Sequence, residues 1–551
     1  MKKITSVLLN LILCSCLAQS NLQISHPENQ SKALENSKDT NNISKRLSDN
    51  QNTSSVQEKS YSQPLQTTIP AIPNSATGTT NDIPGANPLP MPTSSEPLAN
   101  LNNDNYFTKY PINSFVNAEK DPLSTFSLDV DTASYTWMRK SVENNIVPNP
   151  DSVRVEEYIN YFDYKYPNPE NKLDINLDLS NSRVNENKIL RVGIQTKKIE
   201  NKDRKPAVLT FVIDVSGSMN MENRLGLVKQ SLEILLKELK EDDKVGIVVF
   251  GTNARVLLEH KSISEEDEIL KAINSLKPEG STNTESGLLL GYKQAEKYFQ
   301  SNSINRVILC SDGVANVGTT SPDGILEKIK KESESGITLS TIGFGMGNYN
   351  DTLMEQLANK GDGNYYYVDT LKEAEKAFRE NLIGILQLLA KDAKVQVKFN
   401  PKVVSEYRLI GYENRNLKNE DFKNDLIDAG DLGIGHSSTA LYELKLKDNT
   451  SKEILADVFL RYKDVDNLNS VLEISKSINL ENLKTFENSS DSFKLSQLVM
   501  EYAENLRKSP YIKSDYKDIS NQLSKLKDYE NDSKVKELIS LVNKVSSIIS
   551  K

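Results

Sequence analysis

The chain has only three histidines, three cysteines and one tryptophan in 551 residues. His26, His260 and His436 stand far apart, so a His-rich zinc site or a His-centred catalytic triad has little to draw on. Cys14 and Cys16 lie near the start, and Cys310 is alone in the apolar run "RVILCSDG". No disulfide framework can be built from these. No G-x-x-x-x-G-K-[ST] occurs, which excludes a P-loop and leaves nothing that points to a nucleotide. The net charge of -9 comes without a long block of Lys and Arg, and this disfavours nucleic-acid binding. What remains is 37% hydrophobic and 26% charged, ordinary for a soluble globular protein. The length exceeds what one core serves, so two or more domains are expected.

The first residues read as a targeting segment. Lys2 and Lys3 precede the apolar run Val7 to Leu13, which is too short to span a bilayer. The following "LCSC" resembles a bacterial lipobox, with Leu13 three positions before Cys16 and small Ser15 just before it. The resemblance implies a signal peptide over 1–15, cleavage ahead of Cys16, and acyl chains on Cys16 that anchor the protein to a membrane. Leu17, where Asp would imply inner-membrane retention, favours the outer membrane of a bacterial envelope; the face is left open. Residues 16–105 are rich in Ser, Asn, Thr, Gln and Pro and poor in large apolar residues, as in "PAIPNSATGTTNDIPGANPLPMPTSSEP". Such a segment cannot offset the entropy of ordering and is expected to be a disordered tether. Its end-to-end distance would be on the order of 50 Å.

Residues 205–389 alternate between strand and helix patterns. "VLTFVIDVS", "KVGIVVFG", "ARVLLEH", "NRVILCSDG", "ITLSTIGFG" and "NYYYVD" read as strands. "RLGLVKQSLEILLKELK", "SGLLLGYKQAEKYFQ", "DGILEKIKKESES", "DTLMEQLANKG" and "LKEAEKAFRENLIGILQLL" read as helices. Continuous apolar strands alternating with amphipathic helices predict a doubly wound, mostly parallel α/β sheet covered on both faces. Ligands of such sheets bind outside the carboxyl ends of the strands.

Three strand-end loops carry oxygens. "IDVSGSM" offers Asp214, Ser216 and Ser218, "PEGSTNTESG" offers Thr282, and "LCSDG" offers Asp312. Three hydroxyls and two carboxylates, without His or Cys, suit Mg²⁺, Mn²⁺ or Ca²⁺ rather than Zn²⁺. The pattern D-x-S-x-S with a later Thr and Asp resembles the metal-ion-dependent adhesion site of von Willebrand factor type A (VWA) domains. That resemblance implies direct binding of the ion by Ser216 and Ser218, and by Thr282 when a ligand is present. Asp214 and Asp312 would act largely through water. A partner protein would complete the ion's shell with an acidic side chain.

The flanks extend the likeness from about Phe115 to the end. The Tyr-rich stretch "DPLSTFSLDVDTASYTWMRKSVENNIVPNPDSVRVEEYINYFDYKYPNP", together with "VQVKFNPKVVSEYRLIGYENR", "DLGIGHSSTALYELKL" and "FKLSQLVMEYAENLRKSPY", resembles the YfbK-like bacterial VWA lipoproteins. Residues 106–200 read as an amino-terminal unit of their own and 394–479 as a β-rich accessory unit. Residues 489–551 read as two or three amphipathic helices, with Leu495, Val499, Tyr502 and Leu506 as one core-facing stripe.

"FSLDVDTAS" is close to the D-x-D motif of haloacid-dehalogenase-type phosphatases. Ala133 stands where that motif wants Thr or Val, so Thr132 and Ser134 are read as caps of a helix starting near Tyr135. In D-x-S-x-S the second acid of that class is replaced by Ser216, which cannot protonate a leaving group at neutral pH. The chain is therefore read as a metal-dependent protein-binding module and not as an enzyme. An envelope assembly factor working with a MoxR-like ATPase, and a metal-dependent hydrolase, are the rival readings.

Overall fold

The computed structural model describes residues 107–551 apart from 314–320, 322–323, 326, 328–335, 346–350, 448–452, 466 and 551. The expected signal peptide 1–15, Cys16 and the tether 16–105 lie outside the described residues, as does most of the helix expected over "DGILEKIKKESES".

The central sheet has six strands, in the order Tyr365–Val368, Thr338–Phe344, Ile304–Ser311, Ala207–Asp214, Lys244–Phe250 and Ala254–Ser262. Every pairing is parallel except the last. All eight residues of Ala207–Asp214 are buried, which is why its sequence is a continuous apolar run rather than an alternation. Period-2 geometry sends Leu209, Phe211 and Ile213 into one core with Val228, Leu232 and Ile308. Val212 goes to the opposite core with Leu288, Tyr292, Val307 and Leu309. Helix Arg224–Leu236 supplies the first cover and helix Thr284–Lys297 the second. The acidic, mostly exposed helix Glu266–Ser275, with only Ile269 and Ile273 buried, was not among the expected elements.

The long closing helix expected over 371–389 does not form as one piece. It breaks into Leu371–Glu375, a π-helical turn Lys376–Glu380 and the short helix Leu382–Leu386. From Leu388 the chain is already strand, inside the boundary expected for the central domain. Leu388 pairs with Gly433 and Ala390 with Asp464, so sheet partners distant in sequence take the "QLL" segment from the helix its propensity favours.

The flanking segments expected as separate units, 106–200 and 394–479, instead share their sheets. One sheet runs Val116–Asn117, Val404–Ile410, Ser437–Leu446, Lys188–Thr196, Leu173–Asn181, Leu483–Lys484. The other runs Asn416–Leu417, Leu123–Ser127, Leu388–Phe399, Ile454–Asp464, Asn467–Asn479. In both, strands from before and after the central sheet are neighbours. Phe126, Leu190, Val192, Val395, Tyr407, Tyr442 and Val458 share one core between them. Helices Asp491–Leu506, Tyr516–Leu523 and Ser533–Ile549 gather with Ala133–Glu143 and Val155–Asn160 around a fourth core. Leu495, Val499, Tyr502 and Leu506 are all buried there, against Tyr135 and Tyr158.

Candidate metal centre

Strand pairing brings the five oxygen-bearing residues to one end of the central sheet. Asp214 ends its strand, and Ser216 and Ser218 follow in the turn before helix Arg224–Leu236. Asp312 follows Ile304–Ser311, the strand paired alongside. The loop carrying Thr282 does not follow a strand as expected; it joins helices Glu266–Ser275 and Thr284–Lys297 and is tied in from the other side. Gly217 N donates to Gly280 O at 3.0 Å, Asn283 N to Gly251 O at 2.9 Å, and Glu279 N to Val215 O. Gly251 permits this approach, since a Cβ there would collide with the Glu279 carbonyl.

The carboxylates are set firmly. Asp214 Oδ1 accepts from Ser216 N at 2.8 Å, and Oδ2 accepts from Ser311 Oγ at 2.7 Å. Ser216 Oγ and Ser218 Oγ lie 3.0 Å apart. Asp214, Ser216, Thr282 and Asp312 are buried, Ser218 is half-buried, and Gly217 between the two serines is exposed. Burial, and then the charge of Asp312, push the Asp214 carboxyl up to about 7. Two carboxylates in each other's field at a buried strand end call for positive charge.

Part of that charge is supplied by a residue the sequence reading passed over. Arg224 Nη1 donates to Asp312 Oδ2 at 2.7 Å, and both side chains are almost fully buried. A lone Arg opening a helix reads as a solvated charge, and only the fold shows that it turns inward.

The donor set fits a hard divalent cation: carboxylate and hydroxyl oxygens, no nitrogen or sulfur, and a half-open side at Ser218 and Gly217. Among the described residues, no group of three or more His, Cys, Asp and Glu is placed to hold a metal, so no zinc-type centre competes.

The other candidates resolve as structural. Asp129 Oδ1 and Asp131 Oδ2 accept from Arg415 Nη2 at 3.3 and 3.2 Å, and Asp131 Oδ1 accepts from Tyr365 N. Burial and the neighbouring Asp129 hold the Asp131 carboxyl well above its usual range. The capping expected of Thr132 and Ser134 is not made. The helix starts at Ala133 without a side-chain cap bond from Thr132, and Ser134 Oγ donates instead to Ser152 O at 2.6 Å. A second pull wins: Glu157 Oε2, from another helix, takes the Ser134 N–H. His260 hydrogen-bonds Thr210 inside the sheet, and His436, half-buried before strand Ser437–Leu446, packs on Gly384.

Comparison with known proteins agrees with this architecture. Residues 209–380 match the von Willebrand factor type A domain, 101–191 match von Willebrand factor, and 384–548 match the family described as uncharacterized protein YfbK, C-terminal. YfbK of Escherichia coli strain K12 is 45% identical over 337 residues, 59% of this chain and 59% of its own length. Human inter-alpha-trypsin inhibitor heavy chain H3 is 30% identical over 166 residues, 29% of this chain and 18% of its own. A solved von Willebrand factor type A structure from Catenulispora acidiphila is 14% identical, covers 69% of this chain and 91% of its own, and has a TM-score of 0.41. The chain thus spans less than two thirds of the curated relatives it matches. It is similar to YfbK over 59% of its length and carries a von Willebrand factor type A domain over residues 209–380.

Proposed function

We propose that the chain is a lipid-anchored protein of the bacterial cell envelope that binds a protein partner through a divalent cation, and that it is not an enzyme. Ser216, Ser218 and Thr282 would hold Mg²⁺, or Mn²⁺ or Ca²⁺, with Asp214 and Asp312 acting through water. When bound, the ion offers a Lewis-acidic position to an acidic side chain of the partner. The residues do the rest. Ser216 N and Ser311 Oγ fix the Asp214 carboxylate, and the bonds from Gly217 and Asn283 keep the Thr282 loop in register. Cys16 would carry the acyl chains, and 16–105 would let the folded part stand clear of the membrane. Leu17, in place of Asp, supports the outer-membrane reading.

The observation that carries this reading is the pair of buried carboxylates at the ends of two parallel-paired strands, beside the hydroxyl residues Ser216, Ser218 and Thr282, with one side open. The test starts from detergent-phase protein, where the wild type is expected and a Cys16→Ser variant is not. Immobilised wild type should retain an envelope protein in Mg²⁺ and release it in EDTA. Ser218→Ala, folded, should lose at least about tenfold of that capture, the equivalent of one lost ligand interaction. Full capture by Ser218→Ala in EDTA contradicts the proposal.

A further inference from the structure

We infer that Arg224 is a built-in counter-charge that loosens the hold on the divalent cation and leaves surplus positive charge to attract a partner's carboxylate. The inference rests on the metal reading above and concerns a residue outside the five-residue pattern.

The position is built for the guanidinium. Arg224 begins the helix that directly follows the turn bearing Ser216 and Ser218, so ligands and counter-charge share one short segment. Its side chain is almost fully buried and its Nη1 lies 2.7 Å from Asp312 Oδ2. Gly345, at φ +94°, covers it from the next strand's end; a Cβ there would run into Arg224 Nε and Cδ. Only glycine combines that left-handed backbone with that close approach.

Asp214 and Asp312 alone would give the site two negative charges and cancel a divalent ion. With Arg224 the set carries one, so an ion-loaded site is left with one positive charge. At separations of a few ångströms in a partly buried site, one unit of charge changes affinity for a divalent ion by a factor of ten or more, on the order of what an effective dielectric of about 20 allows. A residue that merely positioned Asp312 would have the opposite signature, because its loss would weaken the ion.

Calorimetric titration of MnCl₂ into detergent-solubilised full-length protein separates the two. Arg224→Met and Arg224→Gln, the second keeping a donor to Asp312, should both bind Mn²⁺ at least about tenfold more tightly than wild type. Their metal-free forms should melt lower than wild type, and Arg224→Lys, which keeps the charge, should bind as wild type does. Equal or weaker Mn²⁺ binding by folded Arg224→Gln, with the wild type binding normally, overturns the inference and leaves the metal reading intact. No Mn²⁺ uptake by the wild type overturns both.

Discussion

The ring of His260 lies against Gly246, 4.5 Å from the Tyr298 ring, with Thr210 Oγ1 at 3.0 Å. Burial lowers its pKa to about 4, and Lys244 and Lys297 oppose the pull of Glu259. A histidine whose folded pKa is depressed stabilises the fold above its unfolded value near 6.5 and loses that contribution as pH falls towards 4. The loss amounts to about 3 kcal/mol at most. Glu156, raised to about 7, and Asp431, raised to about 8, change stability in the opposite sense, so the effect must be read as a difference. Urea unfolding of wild type and His260→Gln at pH 7 and pH 4.5 should show the wild type losing more stability on acidification. Equal losses in the two proteins would remove His260 from the account. The placement of Asp214, Ser216, Ser218 and Asp312 at strand ends was legible because a strand and the turn after it are local signals. Arg224 was not, because its partner Asp312 is 88 positions away.

Elements follow the same logic. The strands of the central sheet were legible as apolar runs and the helices Arg224–Leu236 and Thr284–Lys297 by their period, whereas the mostly exposed Glu266–Ser275 was not. The broken closing helix was not, since the partners of Leu388 and Ala390 lie more than forty residues downstream. Strand Val404–Ile410 and helix Asp491–Leu506 are joined by a buried cluster that local pattern cannot announce. Arg408, fully buried, donates to Glu443 Oε2 at 2.9 Å and to Glu504 Oε2 at 3.0 Å, and its guanidinium lies 4.4 Å from the Tyr511 ring centre. Glu504 also accepts from Ser509 Oγ, and Glu443 from Asn185 and Asn187. Arg408→Met would strand two carboxylates in the interior, at a cost of about 3–5 kcal/mol. Chemical denaturation should register that loss. A change under about 1 kcal/mol, the scale of an exposed ion pair, would show that the cluster is not what ties helix to sheet.

At the scale of the molecule, the α/β domain could be read from the sequence, and the interleaving of its flanks could not. Leu123–Ser127 pairs with Leu388–Phe399 across the whole central domain, and alternation within a strand says which face is buried but not which strand lies beside it. The consequence is a central sheet held between two chain segments that close on each other. Arg139, from the amino-terminal flank, pairs with Asp369 and Glu373 of the central domain and with Glu537 of the last helix. The candidate centre opens at the strand ends of that held domain, and the central claim is that it takes up a divalent cation there. The most direct measurement is calorimetric titration of Mg²⁺ into EDTA-stripped wild type and Ser216→Ala, with circular dichroism to establish that both are folded. One saturable site in the wild type and none in Ser216→Ala is the expected result. Absence of binding in the wild type, or unchanged binding in Ser216→Ala, would contradict it.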